Sequence, residues 1–447
     1  MRTENKPAEV PACEATQAGD LRARWAWVEP SAWTDRMLEA LEKGVKGGCW
    51  FSLIDKVHRA ENLRASWRHV AANGGAAGVD HQTVEAFAAR APEELTRLES
   101  HLKAGTYRPQ AVRRTWIDKP GSHEKRPLGI PTVRDRIVQG ALRQVLEPIF
   151  EATFAPHSYG FRPNRGAKDA LREVDRRLKA GPVWVVDADL KGYFDSIPHD
   201  RLLQRVKERV ADGRVLALIQ AFLKQGVLEQ GIETEPEEGT PQGGVISPLL
   251  ANLYLNPLDH LMAQQGHLMI RYADDFVVLC DTQAEAEAVL AALKAWTQAE
   301  ELVLHPEKTR VVDLSQPQAH FDFLGYRFQR LRSGKIGRWP RPKSMERLKD
   351  RLRPITRRSP GQSLSPIIAK VNQHTRGWFA YFKHSHWNTF PTVDGWIRRR
   401  LRAMLEKRHG RRNGGYGAAH HRWTNAFFAA QGLFSLTQAH AAARQSA

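Results

Sequence analysis

Cysteine is nearly absent: the 447 residues hold three, Cys13, Cys49 and Cys280, odd in number and scattered. That excludes a disulfide framework and a structural zinc site, and fits a reducing cytoplasm. No stretch approaches ~18 uninterrupted apolar residues, so no membrane span is expected. Met1 to Asp20 is polar and mixed in charge, without the apolar core of a signal peptide. Hydrophobic content is an ordinary 42%, which argues against wholesale disorder. At this length two or three domains can each bury a core.

Acid is scarce in one region. From Leu331 to Arg412 there are 22 Lys/Arg against 4 Asp/Glu, a net of +18. The whole chain also carries +18, so the rest of it, with 45 basic and 45 acidic residues, cancels. Aromatics, Trp339, Trp378, Tyr381, Trp387 and Trp396 among them, are interleaved with that basic run. A solvated helical face usually mixes both signs, so this pattern reads as a structured basic face for nucleic acid.

Against these absences stands the tetrapeptide Tyr272-Ala273-Asp274-Asp275. It is flanked by Leu268-Met269-Ile270 and Phe276-Val277-Val278-Leu279. Two β-type runs meeting at an Asp-Asp corner predict a hairpin with two carboxylates at its tip. Neighbouring carboxylates repel, so such a pair tends to be held where a cation neutralises it. A further strand, Val183-Trp-Val-Val-Asp-Ala-Asp-Leu190, ends in Asp187 and Asp189. Together they suggest a two-metal phosphoryl-transfer site. Strand alternation puts 187 and 189 on one face, so periodicity cannot separate them, and Asp195 competes as well.

From 183 to 313 the order reads strand, helices, strand, strand, helix, strand, the split βαβ arrangement. Ahead of it come helices, a charged hairpin between Tyr107 and Pro131, and a long helix through Ile137 and Ile149. A hairpin is expected around Phe321–Tyr326. In the basic segment, helices over Met345–Leu352 and Trp396–Leu405 are bounded by Pro354 and Pro391 as breaks.

Several short blocks then occur in a telling order: Arg126-Pro-Leu-Gly-Ile-Pro131, Ser158-Tyr-Gly-Phe-Arg-Pro163, Asp189-Leu-Lys-Gly-Tyr-Phe-Asp195, Gly239-Thr-Pro-Gln-Gly-Gly244, Tyr272-Ala-Asp-Asp275, Glu307-Lys-Thr309 and Phe323-Leu-Gly-Tyr326. Gly377-Trp-Phe-Ala-Tyr-Phe382 follows. In this order the chain, over about residues 50 to 440, resembles the reverse transcriptase–maturase proteins of bacterial group II introns.

The resemblance implies an α+β right-hand polymerase with fingers, a ferredoxin-like palm and a helical thumb. An N-terminal extension would cover 1–50, fingers 51–182, palm 183–330, a basic thumb or maturase (X) domain 331–409, and a tail 410–447. That tail is a candidate DNA-binding remnant with no HNH endonuclease. The protein would be an RNA-directed DNA polymerase that binds its intron RNA, assists splicing and copies the intron into cDNA during retrohoming. The alternatives are a domesticated relative in DNA repair or phage defence, or a splicing cofactor with secondary polymerase activity. Partners would be intron RNA, an RNA template with DNA primer, dNTPs and target DNA, without a membrane.

The family pattern also names residues. Asp189, Asp274 and Asp275 would be catalytic and, with the Leu190 carbonyl, would hold two Mg²⁺ ions. Lys119 and Arg126 would bind the triphosphate, Phe194 would exclude a 2′-hydroxyl, and Gln242 would meet the sugar near its 3′-hydroxyl. Arg162, Arg165, Tyr272, Lys308 and Gly325 are template or primer candidates. A salt bridge on a helix start is the alternative for Arg162 and Arg165, a surface lysine for Lys308, and core hairpin packing for the turn that holds Gly325.

Overall fold

The computed structural model describes residues 21–45, 47–118, 125–358, 361–410 and 414–445. They fall into two compact units. One takes in the chain up to Val112, Pro131–Thr153 and Leu203–Gly226; the other comprises Arg113–Ile130, Phe154–Leu202 and the chain from Val227.

The first unit is helical. Helices Asp35–Lys43, Ala60–Asn73, Ala91–Ala104, Val133–Glu151 and Gly213–Leu223 bury Leu38, Leu63, Leu98, Val138, Leu142 and Ile219, the apolar stripes of each. Three start on side-chain caps, Thr34, Thr132 and Asp212, which accept from main-chain N–H groups of the first turn. Helices Ala60–Asn73 and Val133–Glu151 approach closely because position 140 is glycine: a Cβ there would lie 2.2 Å from Ser66 Oγ. Ser66 Oγ donates to the Ile137 carbonyl at 2.7 Å, and Asn62 Nδ2 to that of Ala141 at 3.1 Å. Asp135 is buried nearby, accepting from Tyr107 Oη, Gln110 N and Gln225 Nε2. Burial still outweighs these donors and pushes its carboxyl up to about 6.

The second unit carries the sheets. In chain order the strands are β1 (Val112–Asp118), β2 (Lys125–Ile130), β3 (Trp184–Asp189), β4 (Val227–Glu229), β5 (Ile232–Thr234), β6 (Met269–Tyr272), β7 (Asp275–Cys280), β8 (Arg310–Asp313), β9 (His320–Phe323), β10 (Tyr326–Arg330) and β11 (Ile336–Pro340). They form sheets of order β2-β1-β4-β5, β6-β7-β3-β8 and β11-β10-β9. The middle one has the strand order of the split βαβ unit expected from the sequence. Opposite residues share a face, so Val185–Leu279, Asp187–Val277 and Asp189–Asp275 line one side of it. The apolar end of that side is buried against helix Ala167–Lys179 and the β9–β10 hairpin, through Leu171, Val174, Phe321 and Phe323. Carboxylates at 187, 189 and 275 continue the same side where apolar cover gives out.

The basic helices Pro342–Ile355, Leu364–Phe382 and Thr389–Arg408 share a core that includes Leu352, Val371, Phe390 and Leu401. Trp423, Phe428 and Leu436 of the last segment pack into that same core. Asp394 fastens helix Leu436–Gln445 by accepting from Leu436 N at 3.0 Å, Thr437 N at 3.0 Å and Thr437 Oγ1 at 2.8 Å. The tail is therefore continuous with these helices. Among the described residues no helix is long and apolar enough to cross a membrane.

Three elements depart from expectation. The β4–β5 hairpin turns at Gln230 and Gly231, both with positive φ, and β5 is exposed throughout, so no hydrophobic alternation announces it. Strand β11 lies in the basic run, where Arg338 and Trp339 mask its pattern. Pro391 does not break a helix: it occupies the first turn of Thr389–Arg408, where a missing N–H costs nothing.

Candidate active site

β6 and β7 are joined by Ala273 and Asp274, with Tyr272 paired to Asp275. Ala273 takes φ +60°, a conformation that a two-residue hairpin needs and that glycine usually supplies. Its surroundings hold it there. Arg271, fully buried, donates through Nη1 to the Ala273 carbonyl and to Asn252 Oδ1, each at 3.0 Å, and through Nε to Asp259 at 2.8 Å. On the other side, Asn252 Nδ2 donates to the Gly160 carbonyl at 2.7 Å. A Cβ on Gly160 would lie 2.3 Å from Ala273 N. Thus Arg271 and Gly160 position the turn. Sequence reading did not single out either one; an Arg before a turn and a Gly in a loop are too common to signal it.

The hairpin brings Asp275 opposite Asp189 on β3, with Asp274 next to it at the tip. Burial pushes the Asp275 carboxyl up to about 8, helped by the charges of Asp189, Asp187 and Asp274. Asp274 is likewise raised by burial and then by Asp189. Asp187, on the same face, is pushed up to about 6 by burial although Arg310 faces it at 3.4 Å. Asp189 forms an ion pair with Lys308 Nζ. Its carbonyl accepts from His305 N at 2.8 Å, and Lys191 N donates to Val303 at 2.8 Å. Strand alternation then leaves the Leu190 carbonyl on the opposite edge, toward β7.

With the side chains so placed, no group of three or more His, Cys, Asp or Glu among the described residues is arranged to hold a metal ion. Asp189 is here turned to Lys308. The donor set itself fits a hard divalent cation, because it is all carboxylate oxygen. The raised Asp274 and Asp275 also mark a site short of positive charge, the deficit such an ion makes good.

Phe194, half-buried, borders this site. Phe161 lies between it and Tyr272, with ring centroids 6.4 Å from each. Phe161 is exposed and has φ +57°, and it completes an aromatic corner that the motif alone did not reveal. The loop carrying Gln242 is docked on the 194–199 segment: Thr240 N donates to the Phe194 carbonyl at 2.6 Å and Gly239 N to Ile197 at 2.8 Å. Gln242 Nε2 donates to Asp195 Oδ2 at 2.8 Å, and its carbonyl accepts from Gly129 N of β2 at 2.7 Å. Asp195 is thus engaged with Gln242. Arg126, exposed on β2 opposite Ile117, is close enough to draw down the carboxyls of both Asp195 and Asp274, though burial dominates each. Lys119 lies outside the described residues.

The template and primer candidates divide. Arg162 is 7% exposed, and its Nη1 donates to the Ala155 carbonyl at 2.6 Å and the Ser158 carbonyl at 2.8 Å. Its Nη1 is committed to the loop before helix Ala167–Lys179. Arg165 is half-buried, donating to the Pro156 carbonyl beside the Tyr159 ring. Gly325 takes φ +85° in the β9–β10 turn, and its carbonyl accepts from Arg341 N at 2.9 Å and Ser344 Oγ at 3.0 Å. Arg341 was not anticipated: its Nε is buried without a hydrogen-bond partner, and its charge reaches Asp275 and Tyr381.

The chain is similar to known proteins in two stretches. The family model "Reverse transcriptase (RNA-dependent DNA polymerase)" matches residues 117–328, and "Group II intron, maturase-specific domain" matches 345–423. The chain is 33% identical over 350 residues to Protein YkfC of Escherichia coli K12, an overlap of 70% of this chain and 87% of that one. It is 41% identical over 208 residues to the group II intron-encoded protein LtrA of Lactococcus lactis subsp. cremoris, covering 46% of this chain and 34% of LtrA. The 91 kDa protein in the cob intron of Schizosaccharomyces pombe is 40% identical over 168 residues, 38% of this chain and 21% of that protein. The chain therefore spans most of YkfC but about a third of LtrA and a fifth of the cob-intron protein.

Proposed function

Because the chain belongs to the reverse transcriptase–maturase family of group II introns, we propose that it binds the RNA of its own intron, assists its splicing, and copies it into cDNA during retrohoming. It is an RNA-directed DNA polymerase of right-hand fold. In this reading residues 51–182 act as fingers, 183–330 as palm and 331–409 as thumb, on a template RNA and DNA primer. The observation that carries the reading is the Asp189–Asp275 cross-strand pair with Asp274 at the adjoining turn.

Asp189, Asp274, Asp275 and the Leu190 carbonyl would hold a pair of Mg²⁺ ions. When bound, such ions lower the pKa of the primer 3′-hydroxyl and neutralise charge on the departing pyrophosphate. The chain's own part is placement. Asp189 turns from Lys308 to complete the carboxylate set, and the exposed Lys308 ammonium is then free for a phosphate. Phe194, braced by Phe161, lies under the incoming sugar and leaves no room for a 2′-hydroxyl. Arg126, with Lys119, takes the triphosphate, and Gln242, tethered by Asp195, faces the 3′-hydroxyl. Tyr272, Arg165 and the Gly325 turn border the template and primer.

Primer extension on an RNA template with Mg²⁺ tests this. Asp274→Ala should abolish synthesis, a loss on the order of a thousandfold or more, while intron RNA binding stays within about twofold. Undiminished synthesis by that variant would overturn the assignment.

A further inference from the structure

Away from the carboxylates, Trp339, His386 and Trp387 form a stack of rings that the proposed reaction does not use. Trp339 lies on β11; the other two lie in the segment between helices Leu364–Phe382 and Thr389–Arg408. Trp339 and His386 have centroids 5.1 Å apart with planes inclined by 30°, and His386 and Trp387 are 5.7 Å apart at 36°. Trp387, at the outer end, is 59% exposed.

The stack is built, not incidental. Asn388 Oδ1 accepts from Trp339 Nε1 at 3.1 Å and pairs with His386 Nδ1 at 2.8 Å. An indole N–H can only donate, so it directs the amide oxygen inward and requires His386 to carry its proton on Nδ1. Gly337 stands two residues before Trp339 on the same side of β11, and a Cβ there would lie 2.4 Å from the Trp339 ring. The indole fills the space that a side chain would need. Two further bonds pin the loop to the strand: His386 N to the Arg338 carbonyl and Arg338 Nε to the His384 carbonyl, each 2.7 Å.

The charge around the stack indicates its occupant. The stack belongs to the segment with 22 basic and 4 acidic residues. Next to it, partial burial holds His384 below the ordinary histidine range; the charges of Arg338 and Lys383 add to this, against the opposing pull of Asp175, which pairs with Arg338 at 3.1 Å. A rigid, exposed π-surface in a positive field fits a polyanion with flat faces of its own. Single-stranded nucleic acid is that ligand, its backbone drawn by the cations and its bases stacking on the rings. Because Trp339 and His386 are already held, the ordering cost on binding is confined to Trp387.

We propose that Trp339, His386 and Trp387 form a shelf on which unpaired nucleobases of a bound RNA strand stack. The proposal rests on the reading of the chain as an RNA-binding polymerase, but concerns a site distinct from the carboxylates. Binding of the full chain to a short single-stranded RNA should be compared with binding to an abasic strand of equal length and charge. Trp387→Ala should weaken RNA binding by about tenfold and leave abasic binding at the wild-type level, while Trp387→Phe should lose less than about threefold. Wild-type affinity of Trp387→Ala for RNA would overturn the proposal. So would an equal loss on both strands, which would mark a structural or purely electrostatic effect. Primer extension by the unaltered protein, scored in parallel, separates the two readings: its absence removes the polymerase and leaves the stacking result standing.

Discussion

Phe194 and Asp195 are neighbours in the chain, yet their side chains turn to different partners. The Phe194 ring borders the carboxylates, and the Asp195 carboxylate holds the Gln242 amide at 2.8 Å. That bond engages Nε2 and leaves Oε1 as the amide's acceptor, so in the proposed reading Asp195 sets which amide atom a nucleotide meets. Asp195→Ala should raise KM for dNTP by about tenfold with a smaller change in kcat, because a charge-assisted hydrogen bond is lost. Asp195→Asn, which can still accept from Nε2, should recover most of it in steady-state kinetics; equal damage in both variants would argue for a role in folding alone. Three aspartates, 187, 189 and 195, could not be ranked by periodicity. In the fold Asp187 faces Arg310, Asp195 faces Gln242, and Asp189 stands opposite Asp275. The surroundings of Arg162 were hidden for a related reason: a motif records that an arginine is present, not that it is 7% exposed and donates to the carbonyls of Ala155 and Ser158.

Helix packing in the first unit hinges on Gly140 and Ser66. Gly140→Ala gains up to ~1 kcal/mol of helix propensity but drives a methyl to 2.2 Å from Ser66 Oγ. Overpacking of that kind costs about 1–3 kcal/mol, so the single variant should be destabilised in urea unfolding. Ser66→Ala combined with it removes the clashing oxygen and should recover most of the loss; a double variant no better than the single would contradict this. Asp135, on the same long helix, supplies a pH signature. Its folded carboxyl keeps its proton to about pH 6, against an ordinary value of about 3.8. A raised value means the contribution is full below the unfolded pKa and is lost as pH rises through 6. The stability advantage of the native protein over Asp135→Asn should therefore shrink by about 2 kcal/mol between about pH 4.5 and about pH 7.5. A difference that grows with pH would contradict the burial account. The long helices and the split βαβ order were readable because their periodicity runs over many residues. The β4–β5 hairpin and β11 were not, since three exposed residues or a strand of mixed charge carry no such pattern.

The chain as a whole keeps its charge and its chemistry in different places. The basic excess is confined to 331–412, while the acidic chemistry lies on β3 and β7. Both were legible in the sequence, one as composition and one as strand-flanked carboxylates. The supporting contacts were not: Arg271 with Asp259, Gly160 under Ala273, and the exposed Lys308 on Asp189 join positions that are not neighbours in sequence. The central claim is that these carboxylates hold divalent ions beside a primer end. Electron paramagnetic resonance of Mn²⁺, titrated into the protein with primer–template and a non-hydrolysable dNTP, tests it most directly. The native complex should hold a pair of Mn²⁺ ions, one more than the nucleotide alone carries, and Asp274→Ala should lose at least one of them while retaining primer–template. The same Mn²⁺ stoichiometry and affinity in both proteins would contradict the account.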